Sequence, residues 1–122
     1  KRAGTKGRVV TISTLNAHVY RSTYPIYPGS AAAKSAIESL THTLAIQLAP
    51  HKVTVNCVAP GLLEGTRATA NLRAEQIANS ASSSLLKMAA SKDDCADIAL
   101  SMCRTDTMTG QTVVIDAGRV FH

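Results

Sequence analysis

Lys52-Val53-Thr54-Val55-Asn56-Cys57-Val58-Ala59-Pro60-Gly61 decides the fold of this chain. From Val53 to Ala59 both faces of an extended segment are apolar, with Thr54 and Asn56 the exceptions. Successive side chains of a strand point to opposite faces, so such a segment fits a parallel sheet covered by helices on both sides. Pro60-Gly61 ends the strand. Upstream, Ala33, Ile37, Leu40, Leu44 and Leu48 recur at spacings of three and four. They predict the apolar face of a helix of about five turns, running from Ser30 or slightly earlier to Leu48. Ala32, Ala36 and Ala45 keep its other sides small enough for a second helix to approach. Ala49-Pro50-His51 terminates it, since the residue before a proline is displaced from the helical region.

Further out, Gly7-Arg-Val-Val-Thr-Ile-Ser13 is a β-branched run after a glycine and reads as a buried strand. Residues 14–29 carry two prolines, a glycine and three tyrosines without periodicity, a loop composition. Residues 62–90, rich in Ala and Ser, read as a mobile segment with one or two helices. Ser91 then fits an N-cap, followed by Asp93 and Asp94 at the positive end of a helix dipole. Ile98, Leu100 and Met102 supply that helix's apolar side, and Gly110 precedes a last strand, Thr112 to Ile115.

Strand, helix, strand, helix, strand implies right-handed crossovers and an α/β layer structure. The expected fold is part of a doubly wound parallel sheet, three strands with crossover helices. Residues 1–122 would then form a single partial domain. Its first strand, Arg8 to Ser13, would leave a bare edge, a liability unless a neighbour covers it. The expectation is that an N-terminal half, missing or separately encoded, supplies that neighbour.

Composition excludes several classes of function. Apolar residues make up 45% of the 122, enough for a core and too many for a disordered tail. One Phe, three Tyr and no Trp leave no row of stacking platforms for single-stranded nucleic acid. The net charge of +5 comes from Lys and Arg scattered between Lys1 and Arg119, a solvated surface rather than a nucleic-acid stripe. No apolar run approaches the ~20 residues of a membrane span. Cys57, Cys95 and Cys103 form no CxxC pair and suit a reducing, cytoplasmic compartment. Cys57 reads as a small buried hydrophobe, and Cys95 and Cys103, two helical turns apart, as packing residues. His18, His42, His51 and His122 lack ligand spacing, so no metal site is expected.

Five pieces in order resemble the C-terminal half of short-chain dehydrogenases/reductases, especially the β-ketoacyl-carrier-protein reductases: Gly7-Arg-Val-Val-Thr-Ile-Ser-Thr14, Ala31-Ala-Ala-Lys-Ser-Ala-Ile37, Val53-Thr-Val-Asn-Cys-Val-Ala-Pro-Gly61, Asp97-Ile-Ala99 and Thr109-Gly-Gln-Thr-Val-Val-Ile-Asp-Ala-Gly118. The resemblance implies the C-terminal part of a Rossmann-type sheet, with residues 62–90 as a mobile substrate-side segment, and hydride transfer between NAD or NADP and a small carbonyl or alcohol substrate. A proton must reach the carbonyl oxygen in the same step. The family takes it from a tyrosine phenol acidified by a lysine four residues later. That lysine also holds the nicotinamide ribose, and a serine hydroxyl polarises the carbonyl.

Carried over by position, the lysine is Lys34 and the serine is Thr14, with Ser13 beside it. The tyrosine's position is Ser30, whose aliphatic hydroxyl is less acidic and a whole ring shorter. Ser30 reads equally as an N-cap or first-turn residue. Tyr27 lies thirteen residues after Thr14 and seven before Lys34, either a substitute acid or a surface loop tyrosine outside a helix begun by Pro28. On the cofactor side the resemblance points to Pro60, Gly61, Leu63 and Thr66, with Gly65 resembling an inserted residue. Asn56 matches a family asparagine and equally suits backbone bonding within a buried strand. Two functions stay open: an NAD(P)-dependent oxidoreductase present as its C-terminal part, or a catalytically inactive, family-derived structural or regulatory subunit. Either is expected to form a homo-oligomer, dimer or tetramer, through the helix 30–48. Without a phosphate loop the isolated 122-residue chain is expected to be inactive.

Overall fold

The structure is a computed structural model that describes residues 6–22, 26–67 and 69–120. Parts of the expected loop at 14–29 and segment at 62–90, and His122, lie outside the described residues. Three parallel strands, β1 (Arg8–Ile12), β2 (Thr54–Pro60) and β3 (Thr112–Ile115), form one sheet in that order. Helix α1 (Pro28–Leu48) connects β1 to β2, and α2 (Ala74–Ser82) and α3 (Lys92–Arg104) lie between β2 and β3. Register runs from Arg8 opposite Thr54 to Ile12 opposite Val58, and from Cys57 opposite Thr112 to Pro60 opposite Ile115.

Every residue of β2 is buried, as its double-sided apolar pattern requires. Val55, Cys57, Val58 and Ala59 have no exposed surface. Burying a valine side chain stabilises by about 1.5–3 kcal/mol, so this strand anchors the core. β1 corrects the expectation of a buried strand. It is only half-buried, and Ile12 is 48% exposed, because β1 has a neighbour on one side alone. The Gly7 carbonyl and the Ser13 N–H both bond to β2. Polar groups alternate along a parallel strand, so those of Arg8, Val10 and Ile12 face the open edge.

Side-chain parity assigns the faces. Thr11 shares a 2.7 Å hydroxyl–hydroxyl bond with Thr41 of α1, which places Val9, Thr11, Ser13 and Cys57 under α1. Arg8 and Asn56, of opposite parity, reach Asp106 and the Met108 carbonyl just beyond α3. The helices thus cover opposite faces while the strands advance in one direction, so the two crossovers cannot share one hand. The expectation of two right-handed crossovers fails because the second connection, holding α2 as well as α3, is not a single strand–helix–strand step.

The buried stripe of α1 also differs from expectation. Ala31, Thr41 and Ala45 are buried, Leu40 is 51% exposed and Ala33 is exposed. Small residues let α1 lie close on the sheet, and Ala45, expected on a free side, packs near Gly110. The helix end is corrected too. Ala49, before Pro50, keeps helical angles (φ −54°, ψ −42°), the chain continues as a turn at Ala49–His51, and Lys52 breaks it with φ +54°. Ser91 caps α3 as expected, accepting from the N–H groups of Asp93 and Asp94 at 3.2 Å. Met102 is the side chain of α3 that is buried, whereas Leu100 of the same helix is 49% exposed. Cys57 is buried as expected, and Cys103 is exposed rather than packed.

Candidate active site

Three parallel strands end at one edge, where open α/β sheets bind ligands. Thr14 follows β1 there, Pro60-Gly61 closes β2, and α1 begins nearby because it must run back antiparallel to the strands. The fold therefore assembles Thr14, Lys34, Pro60 and Gly61 at one end of the sheet.

Lys34, half-buried in the second turn of α1, donates from Nζ to the Ile12 carbonyl at 2.9 Å. One of its three N–H bonds is thereby spent on the open edge of β1, leaving two for a ligand. Thr14 is the N-cap of a short turn at Leu15–Ala17, its hydroxyl oxygen accepting from the Asn16 N–H at 3.4 Å. Its own O–H remains a donor. Ser30 is exposed in the first turn of α1, and the N-cap is Tyr27, with Pro28 in the first helical turn. Of the two sequence readings, Ser30 is thus a first-turn residue and not the cap.

Tyr27 lies outside the helix, 44% exposed, and its phenol makes no hydrogen bond among the described residues. It lines a mainly apolar groove of about 480 Å³ with Asn16, Val19, Tyr20, Ile26 and Ala31. Tyr27 stands seven positions before Lys34 and precedes the helix, so helical periodicity does not place its phenol beside the ammonium.

On the β2 side, the Gly61 N–H donates to the Ile115 carbonyl at 2.8 Å. A Cβ at Gly61 would lie 3.0 Å from Asp116 Cβ and 3.1 Å from its Cα, so close strand packing requires glycine here. Thr66 is turned inward. Its hydroxyl donates to the Leu63 carbonyl at 3.2 Å and sits 3.0 Å from the Thr69 hydroxyl, which also donates to Leu63 at 2.9 Å. The Thr66 N–H donates to the Thr69 hydroxyl. Asn56 is fully buried, donating to the Met108 carbonyl at 2.8 Å and accepting from the Gln111 N–H at 3.1 Å, so its role is backbone bonding.

Sequence reading missed Glu38 and Thr69. Glu38 was detectable as a carboxylate one turn beyond Lys34 on a helix face that must meet the sheet. It accepts from buried Ser13 and lies 2.8 Å from His18 Nε2. Among the described residues no three His, Cys, Asp or Glu gather to hold a metal, and no helix is long and apolar enough to cross a membrane.

A half-sheet of Rossmann type with a lysine and a hydroxyl at its carboxyl edge defines the class. The family described as enoyl-(acyl carrier protein) reductase matches residues 1–119. The chain belongs to the short-chain dehydrogenase/reductase family. It is 35% identical over 121 residues to dehydrogenase/reductase SDR family member 4 of Homo sapiens, covering 97% of this chain and 42% of that protein. A crystal structure of 3-oxoacyl-[acyl-carrier protein] reductase from Brucella melitensis aligns with TM-score 0.82 at 29% identity, over 94% of this chain and 43% of the other. The fold also matches a Burkholderia cenocepacia gluconate 5-dehydrogenase crystallised with NADP and tartrate, with TM-score 0.83 at 23% identity, over 93% and 45% of the two chains. The chain thus spans under half the length of these relatives.

A nicotinamide dinucleotide fits part of this edge. The two unspent donors of Lys34 suit ribose hydroxyls. The Thr66 hydroxyl fits less well, since Leu63 and Thr69 already hold it.

Proposed function

We propose that the intact protein is an NAD(P)-dependent carbonyl/alcohol oxidoreductase of which this chain is the C-terminal part. The observation that carries the reading is the Lys34 ammonium fixed on the Ile12 carbonyl, two residues before the Thr14 hydroxyl, at the carboxyl edge of the sheet. Lys34 would hold the nicotinamide ribose, with Pro60, Gly61 and Leu63 beside the nicotinamide and Thr66 toward the pyrophosphate. The bound nicotinamide would supply or accept the hydride. Thr14 would donate its O–H to the carbonyl oxygen, and Lys34 would favour any anion formed near it.

The proton source is Tyr27 or solvent. Ser30 is too short and too weak an acid, whereas Tyr27 lines the groove that begins beside Asn16 and Ala31. That groove would take the substrate's apolar body. Leu40 and Ile46, 51% and 76% exposed on α1, support a homo-oligomer formed through this helix. Free cysteines support a cytoplasmic setting.

Ser30 in the phenol's place and an unbonded Tyr27 favour the second reading, a catalytically inactive structural or regulatory subunit. One experiment separates the two. NADH or NADPH oxidation by the intact protein is followed against a panel of small ketones. Turnover abolished by Lys34→Met supports the enzyme, and its absence from the native protein supports the subunit. Within an active protein, Tyr27→Phe with unchanged activity would exclude Tyr27 as the acid. The isolated 122-residue chain should not bind NADPH tightly, and micromolar affinity by nicotinamide fluorescence would overturn that expectation.

A further inference from the structure

Glu38 joins three parts of the candidate site. Ser13 is 2% exposed and points under α1, where its hydroxyl donates to the Glu38 carboxylate and lies 3.4 Å from the Lys34 carbonyl. His18 Nε2 lies 2.8 Å from the same Glu38 oxygen, and both side chains are mostly buried, 13% exposed for Glu38 and 20% for His18. Lys34, one turn before Glu38, bonds to Ile12. The end of β1 is thus fastened to a single turn of α1 at Ile12 and at Ser13. The turn that follows is fastened again at His18. Thr14 sits between Ser13 and His18, both held by one carboxylate oxygen.

This cluster is not nucleophilic machinery. The serine hydroxyl is buried and given to the carboxylate, so it is not presented to a ligand as a nucleophile. An acceptor shared by two donors on the segment that carries Thr14 instead fixes distance. Its neighbour Lys34, on the same face, supplies the other end of that distance.

We infer that Glu38 is a positioning residue that holds Thr14 in register with Lys34; the catalytic part of this inference rests on the oxidoreductase reading. Glutamine keeps an oxygen acceptor at this place, and leucine removes it. Thr41 provides a control, being buried one turn further along α1 and bonded to Thr11 of the same strand, away from the site.

The test compares Glu38→Gln, Glu38→Leu and Thr41→Val in the intact protein. The first readout is Lys34 reductive methylation relative to exposed Lys92, followed by mass spectrometry. Glu38→Leu should raise the Lys34 rate about fivefold, the factor for losing one net hydrogen bond of restraint. Glu38→Gln and Thr41→Val should leave it within about twofold, even where Thr41→Val lowers the melting temperature as much. The second readout is kcat, which Glu38→Leu should lower about 10–100-fold, the scale of an ångström-sized misplacement, with Glu38→Gln restoring it. Ser13→Ala carries the same test if Glu38→Leu does not fold. An unchanged Lys34 rate in Glu38→Leu, a Thr41→Val effect of equal size, or no rescue by glutamine overturns the inference. If the native protein shows no turnover, the oxidoreductase reading falls while Lys34 labelling still decides the positioning role.

Discussion

Replacing Asn56 with alanine removes both ends of a part-buried bridge. Asn56 has no exposed surface, and its amide joins β2 to the segment entering β3 through the Met108 carbonyl and the Gln111 N–H. Without it, the Met108 carbonyl and the Gln111 N–H both lose the side-chain partner they have in this part-buried bridge. Each orphan costs about 1–3 kcal/mol, so the pair costs roughly 4 kcal/mol before any cavity is counted. A chain of this size holds roughly 6–18 kcal/mol in total, so the loss is a large fraction. The melting temperature should fall by roughly 12 °C or more. In urea, far-UV circular dichroism should show a midpoint lower by about 2 M with an unchanged slope.

Thr54 is the internal control, since its hydroxyl is buried in the same strand with no hydrogen-bond partner among the described residues. Thr54→Val should therefore be neutral or stabilising by up to about 1 kcal/mol. A loss below about 1 kcal/mol for Asn56→Ala would refute the reasoning, because the two orphaned groups would have found other partners.

Gly61→Ala should destabilise by about 1–3 kcal/mol in the same urea assay, since a Cβ there meets Asp116 backbone and cannot be relieved by a rotamer change. A neutral result would show that the end of β3 moves freely. Asp106 is bonded to Lys6, whose hydrogen bond and charge, with a smaller contribution from Arg8, hold its carboxyl below the ordinary value of 3.8. A depressed folded pKa stabilises above the unfolded value, so the native advantage over Asp106→Asn should be full above about pH 5 and vanish as pH falls through the folded pKa. A difference that grows on acidification would contradict the ion pairing. Among the thiols, iodoacetamide should label exposed Cys103 first and buried Cys57 last. Cys95 should be slow, because burial and then the nearby Asp94 raise its thiol pKa; labelling ahead of Cys103 would refute this.

The double-sided apolar pattern of Val53–Ala59 was sufficient to place a central strand covered on both faces, because a fully buried strand has no other use for it. Ser91 announced its own cap for a local reason, a side chain bonding to backbone two and three residues on. The family and its lysine were legible because Lys34 stands at a fixed distance from the strand signals. Periodicity failed on α1. Leu40 belongs to the predicted apolar face, yet the sheet takes Ala31, Thr41 and Ala45, since the closeness of approach is set by the partner surface.

From the sequence alone followed the parallel α/β class, the order of the elements and the positions of Thr14, Lys34 and Ser30. Those rest on residue types and spacings along one chain. Only the tertiary structure decided that α1 and α3 lie on opposite faces, that Asn56 bonds to backbone, and that Tyr27 caps α1 and lines a groove. It alone revealed that one Glu38 oxygen ties Ser13 and His18 together around Thr14. Residues 18 and 38 meet through the packing of a strand end against a helix, and no pattern of spacing along the sequence encodes that contact.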